Sequence, residues 1–533
     1  MIRGPARYAG EMKRCALVLV PSLLAACAPV ARETPSSPPR SGDAARPPAT
    51  PRAFMSDPAE YAIDHPSEEA GEAIFMRTGV GDPYRTGIPY PVFLALVAAY
   101  PDELGGSTAA LTARFGFTPR PANAGGDERD AREGLPIGLH LTTDPNTRVP
   151  FVVSSCALCH AEVVRWPGGE QLVYGIGNKR IRIHAYDDAL AKIAARPDFD
   201  KAHLAPLASK LARERRIEWP GEYRDTIVDA TLRALRERVT TRAKLLDRVR
   251  GGLPGRVAAI ESFALVLGQL LGRDVGFAPR VGWTRIPDVI GFASKRTLSW
   301  DGGAEGSPDV LVVDADIAAG ARIEWLFDHP WQGPSVSAFL RHLPRDLRFP
   351  GPIDEALAKR GKITFEKNCA KCHGTYHEDG RARSYVERIV PLMRLETDAA
   401  RAEAVTDAFV TAANDPKLDR GMHLVRTRRT DGYVPPVLTS IWARAPYGHA
   451  GQWPSLQVIA TRPEARPTRF VVHAAAPLDL ERVGVALGDA SQPLADGDYL
   501  QDASAPGFSA GGHPFLAELG DDARAVIEYL KTL

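Results

Sequence analysis

The sequence predicts a mainly α protein in two units joined by long irregular loops. Three observations point there. The pentapeptides "CALCH" (156–160) and "CAKCH" (369–373) recur far apart in one chain. Apolar residues return at helical spacing through 222–250. The stretch "RFPGPID" (348–354) clusters Pro and Gly between the two pentapeptides, just ahead of a new helical pattern. A chain of 533 residues is too long for one core, so two or three units are expected. Its 44% hydrophobic and 25% charged residues are ordinary for a globular protein. With a formal net charge of +1 and no long basic run, no nucleic-acid partner is expected.

Taken in order, residues 1–27 read as an export leader. Lys13 and Arg14 precede the apolar run "CALVLVPSLLAA" (15–26), which is too short to span a bilayer. Met12 offers an alternative start. Leu24, Ala25, Ala26 and Cys27 resemble a bacterial lipobox, which implies lipidation of Cys27 after cleavage. An ordinary cysteine beside a standard cleavage site is the competing reading. Ala28 is not the Asp that retains lipoproteins at the inner membrane, so the periplasmic side of the outer membrane is the expected location. Residues 28–53 carry seven prolines, from Pro29 to Pro51, among Ser, Thr, Ala and Arg, and read as an extended tether.

The first folded unit is placed at 54–345, with a helical insertion at about 186–272. Val228, Leu232, Leu235, Val239, Leu246 and Val249 mark a long helix that Gly251 and Gly252 stop. Residues 258–271 contain Glu261 and Gln269 and read as a buried helix rather than a membrane span. The second unit is placed at 350–533. It ends in "GDDARAVIEYLKTL", an amphipathic helix with Val526, Ile527 and Leu530 on its inner side.

Six cysteines are present, and Cys15 and Cys27 belong to the leader. The remaining four, Cys156, Cys159, Cys369 and Cys372, form two C-x-x-C pairs. A redox dithiol, a shared zinc site and covalent haem compete. A dithiol wants a thioredoxin-like βαβ setting, which neither pair has. A four-cysteine zinc site usually has its pairs close in sequence. Haem attachment needs two thiols at this spacing for two vinyl groups, and a following histidine for the iron. The doubled His favours two c-type haems, with His160 and His373 as proximal ligands.

"EALAKRGKITFEKNCAKCHG" (355–374) resembles the first helix of a class I cytochrome c, with Gly361 expected to cross the terminal helix at Tyr529. "VPPVLTSIWARAPYGHAGQWPSL" (434–456) resembles a segment of the bacterial dihaem cytochromes c, the superfamily of dihaem peroxidases and MauG. "GDPYRTGIPYPVFLAL" (81–96), "CALCH" and "RPEARPTRFVV" (462–472) bring the resemblance nearest to the branch of the rubber oxygenase RoxA. This resemblance implies two cytochrome c-like haem domains.

It also bears on the remaining ligands. His513, in the loop before the terminal helix, is the expected second ligand of the His373 haem. His449 is its rival, expected to lie behind the ligand. For the His160 haem no strong sixth ligand stands out. His184 and His203 read as surface residues, and His140 stays open as a ligand. The resemblance implies an aromatic ring over this iron, with Phe292 or Phe277 as the ring and Trp283 between the haems. Ordinary aromatic core accounts for these residues equally well. The implied function is activation of peroxide or O2 at the His160 haem, with the second haem relaying electrons from a small cytochrome or cupredoxin. A fully ligated, non-enzymatic electron carrier is the alternative.

Overall fold

The computed structural model describes residues 66–121, 128–222, 224–250, 252–344, 346–419, 425–495 and 497–533. The leader, Cys27 and the tether lie outside the described residues. The chain is a mixed helical fold, 43% helix and 13% strand. Among the described residues no helix is long and apolar enough to cross a membrane.

The strands matter more than their share suggests, because they carry the first pentapeptide. Leu139–Thr143 and Pro150–Ser154 pair antiparallel, with Leu141 opposite Val152, and Ile88–Pro89 adds a third strand. A hairpin, Ala161–Trp166 with Gly169–Tyr174, follows directly. "FVVS" is buried on both faces, so it lacks the alternation that betrays a half-exposed strand.

The insertion is a stack of four helices, Ile183–Ala194, Lys201–Glu214, Arg224–Val249 and Ala259–Leu271. The last two coincide with the helices expected at 222–250 and 258–271. Gly272 closes the fourth in the left-handed region, φ 67°. Asp187 of the first helix accepts from Arg238 at 2.7 Å and pairs with Arg242 at 2.8 Å. The two arginines are four residues apart and so share one face of the long helix. All three side chains are buried, and paired burial is what makes their charges tolerable.

In the second unit Asp354 caps the helix Glu355–Asn368, accepting from the Leu357 amide at 3.0 Å. This helix crosses Asp522–Leu530 at Gly361. A Cβ at Gly361 would stand 1.8 Å from the Ala525 carbonyl oxygen, so only glycine permits the contact. The crossing partner is thus Ala525, one turn before the expected Tyr529. Tyr529 meets Phe365 instead, with ring centroids 5.3 Å apart.

The two units do not keep separate cores. Val164, Val173 and Ile290 pack with Phe365, Trp442 and Val526. Ile260 and Leu267 of the insertion pack with Val405 and Phe409. The "RFPGPID" break separates chain segments, and the apolar clusters run across it. Leu347 itself belongs to one of them.

Candidate haem centres

The two pentapeptides are held in different local structure. Strand Pro150–Ser154 leads into one 3₁₀ turn, Cys156–Leu158, and strand Ala161–Trp166 leads out. Ala157 and Leu158 are buried in this setting. The second pentapeptide begins at the end of helix Glu355–Asn368 and forms one helical turn, Ala370–His373, with Lys371 exposed.

Behind each histidine the arrangement is the same. His160 Nδ1 lies 3.0 Å from the Pro287 carbonyl oxygen, and His373 Nδ1 lies 2.9 Å from that of Pro436. A carbonyl only accepts, so both Nδ1 atoms carry the proton and both Nε2 atoms are left as bases. Burial lowers the pKa of both rings, which favours the neutral, metal-binding form. Tyr376 reinforces the second site, donating to the His373 carbonyl at 2.6 Å and accepting from the Leu438 amide at 2.7 Å.

The buried thiols lend the dithiol reading no support. A reactive C-x-x-C needs a depressed thiol pKa. Here burial pushes Cys159 up to about 12 and Cys369 up to about 11, and raises Cys156 as well. The zinc reading finds no site either. Among the described residues no group of three or more His, Cys, Asp or Glu is arranged to hold a metal ion.

Opposite His373 stands His513. The two ring centroids are 6.2 Å apart with the planes inclined at 55°. An imidazole nitrogen binds a metal at about 2 Å and the ring centre lies about 1 Å further out, so two imidazoles sharing one metal place their centroids roughly 6 Å apart. The observed spacing fits a metal between them. Burial, with His373 and Arg466 adding to it, pushes the His513 pKa down to about 3, so this ring is neutral too.

Its loop is tightly held. Arg466 donates to the carbonyls of Ile459, Ala510 and His513 at 3.0–3.2 Å. Trp453 Nε1 donates to the Ala510 carbonyl at 2.8 Å. Between the rings opens a cavity of about 210 Å³, lined by Cys369, Cys372, His373, His513, Trp300 and Arg444.

The cavity wall also carries a charge surplus. Asp288 takes Arg444 Nε at 2.8 Å and both terminal nitrogens of Arg285 at 2.9 and 3.1 Å. Burial alone would raise the Asp288 pKa, but Arg285 and Arg444 more than offset it and hold it below the carboxylate range. Two buried cations therefore share one carboxylate. Trp300 Nε1 is buried without a partner on the same wall. Haem carries carboxylates, and both features suit it.

His449 lines this cavity as well, but its ring stacks on Tyr433, at 4.7 Å. Its Nε2 is buried without a partner, and burial pushes its pKa down to about 4. The structure thus sets His513, and not His449, ring to ring with His373.

The first site has no such opposing pair among the described residues. His140 is committed to Asp130, at 2.7 Å, and its other nitrogen lies 3.4 Å from Ser155 Oγ. His184, expected on the surface, is buried. Its Nε2 accepts the Ala258 amide at 3.1 Å, because the insertion helices fold its face inward. His203 is exposed, as its charged surroundings suggest.

The segment 276–292 differs from expectation in its middle. Pro287 stands on the Nδ1 side of His160, opposite the Nε2 left for a metal, so this part backs the ligand. Phe292 belongs to the same apolar cluster as Ala157 and Ala161. Phe277 is half-buried under Arg248, 5.4 Å from its guanidinium. Trp283 joins Phe508 and Ala450 in a small separate cluster.

Asp288, Arg285, Arg444 and Trp300 escaped the sequence reading. The signal available was a pair of similar tracts, "RIPDV" (285–289) and "VPPVL" (434–438), each following one C-x-x-C-H. Both place a proline carbonyl, which keeps its acceptor while lacking the amide donor.

The site geometry suits haem, and a cytochrome c-like domain, which the family match at residues 432–471 supports, implies covalently bound haem iron. The comparisons agree in kind. Residues 432–471 match the family described as RoxA-like, cytochrome c-like. That span supplies the Pro436 carbonyl, Arg444, His449, Trp453 and Arg466. An uncharacterized protein of Sinorhizobium fredii, y4iM, is 31% identical over 180 residues, covering 29% of this chain and 39% of that protein.

Proposed function

We propose that the chain is an exported, lipid-anchored dihaem c-type cytochrome and an oxidoreductase. In this reading the His160 site takes peroxide or O2, and the His373 site passes electrons. The observation that carries it is the difference between the two histidines. His373 faces His513 at 6.2 Å, whereas His140 and His184, the buried histidines of the first unit, are tied to Asp130 and Ala258. A haem held by His160 or by His373 would supply a redox-active iron, suited to electron transfer or to reaction with small oxidants.

The protein supplies the rest. Pro287 and Pro436 fix the tautomer and orientation of the proximal rings and raise their basicity. Arg466 and Trp453 hold the His513 loop, so a second ligand at this site need not be recruited from solvent. Arg285 and Arg444 offset anionic charge at the cavity wall. The leader and Cys27 support anchoring on the periplasmic side of the outer membrane. A small cytochrome or cupredoxin as electron donor fits the exposed setting of the second pentapeptide.

The test uses the full-length holoprotein. A pyridine haemochrome assay should return two c-type haems per chain. Electron paramagnetic resonance of the oxidised protein should show one low-spin and one high-spin centre, and carbon monoxide should bind one haem after reduction. Two low-spin centres without carbon monoxide binding would make the protein an electron carrier. A haem count of zero would end both readings.

A further inference from the structure

The carbonyls behind the two proximal histidines are joined through the protein. Pro287, which takes the His160 proton, is followed by Asp288. Asp288 Oδ2 accepts Arg444 Nε at 2.8 Å. Arg444 Nη1 donates to the Val437 carbonyl at 2.6 Å and to that of Thr439 at 3.2 Å. Val437 follows Pro436, whose carbonyl takes the His373 proton at 2.9 Å. Three peptide units, 287–288, 436–437 and 437–438, and one side-chain ion pair thus connect the imidazoles.

The link is buried and fully engaged. The Asp288 and Arg444 side chains are 1% and 4% exposed. Asp288 Oδ1 also accepts the Gly177 amide at 3.1 Å, so the carboxylate is fixed from several sides. The two proximal loops touch directly as well. A Cβ at Gly291, φ 74°, would stand 2.9 Å from Val437 Cβ. In such a dry, close-packed connection charge interactions are little screened, and hydrogen bonds in series polarise one another.

We propose that the Asp288–Arg444 ion pair couples the two haem sites, so that a change of charge or ligand at one proximal histidine is felt at the other. Both are positioning residues that act through Pro287 and Val437. The proposal rests on the dihaem reading and goes beyond it, since two haems could share a chain and still respond independently. The competing role is structural, a buried pair that merely joins two chain segments. The protein contains a natural control for that role. Arg401 and Asp301 form a second buried pair between the same two segments, at 2.8 Å and each 1% exposed, and the Arg401 Nε and Nη1 atoms make no hydrogen bond to either proximal loop.

The experiment is a spectropotentiometric titration of the low-spin haem in full-length holoprotein, with and without cyanide on the other haem. In the unmodified protein cyanide should change the reduced-to-oxidised ratio of the low-spin haem at fixed potential on the order of tenfold, about 59 mV for one electron. Asp288→Asn and Arg444→Gln should abolish that response, while Asp301→Asn should keep it. An unmodified protein without the response, or a response that survives both Asp288→Asn and Arg444→Gln, overturns the proposal. So does its loss in Asp301→Asn. If Arg444→Gln does not fold, the near-isosteric Asp288→Asn and the unmodified protein still decide. A haem count below two, or no cyanide binding, is instead the failure of the dihaem reading.

Discussion

"CALCH" and "CAKCH" differ by one letter, and the structure gives that letter a meaning. Leu158 is 2% exposed and packs into the core that the strands and the insertion share. Lys371, at the same position of the second pentapeptide, faces solvent. The first pentapeptide is a turn pinned between strands, with Ala157 and Leu158 buried and Cys156, Cys159 and His160 half-buried. The second is the end of a helix on the surface, with its opposing histidine supplied by a clamped loop. What the two share is the reverse side, a proline carbonyl on Nδ1. The comparison teaches that one pentapeptide pattern can be set in two scaffolds, and that the common feature lies behind the histidine rather than in front of it.

The strongest way to break the comparison is to remove one attachment at a time. Cys156→Ser with Cys159→Ser should leave one haem per chain, and so should Cys369→Ser with Cys372→Ser. Only the second pair should remove the low-spin signal. A pyridine haemochrome assay beside electron paramagnetic resonance reads both effects. If either double variant keeps two haems, that pentapeptide is not an attachment site.

Next in size is the opposing ligand. His513→Ala should turn the low-spin centre high-spin and let a second carbon monoxide bind after reduction, whereas His449→Ala should leave both readouts unchanged. The reverse outcome would move the ligand to His449.

Exchanging the distinguishing letter sharpens the comparison at the level of stability. Leu158→Lys places an ammonium in an apolar core and should cost about 3 kcal/mol or more. Lys371→Leu, in water, should stay within about 0.5 kcal/mol. Denaturant unfolding of the two variants checks this, and equal costs would mean that the two settings are not different in kind.

The smallest effect concerns pH. Asp314 and Asp316 are buried on one helix, and burial pushes both up to about 7. The negative field of Asp316 adds to burial in raising the Cys156 pKa. A carboxyl with a raised folded pKa costs nothing below its unfolded value near 4. Its penalty grows as pH rises from there and is complete above about 7. Asp316→Asn should therefore raise the unfolding free energy relative to the unmodified protein at pH 8, by an amount on the order of 1 kcal/mol in denaturant unfolding, with no gain at pH 4. A gain that is equal at both values would point to packing instead of ionisation.

Legibility in the sequence followed the range of the interaction. The helices at 224–249 and 259–271 were readable because a 3.6-residue period and a closing glycine are local. The opposed pair His373 and His513 was readable because the order of a cytochrome c-like unit fixes which loop returns to the haem. The strands at 139–154 were not, since a segment buried on both faces shows no alternation. His184 looked exposed because its charged neighbours conceal a face turned inward. Gly361 was correctly placed at a crossing, but its partner slid by one turn, which sequence periodicity alone does not resolve.

By itself the sequence determined the two C-x-x-C-H patterns: two thiols and a histidine at fixed spacing need no distant residue to be recognised. Tertiary structure alone decided the Asp288–Arg444 link, the commitment of His140 to Asp130, and the position of Pro287 behind His160. Each of these depends on groups brought together from separate parts of the chain. Hydrogen bonds and ion pairs act over a few ångströms, so which groups meet is settled by the packing of the elements that carry them.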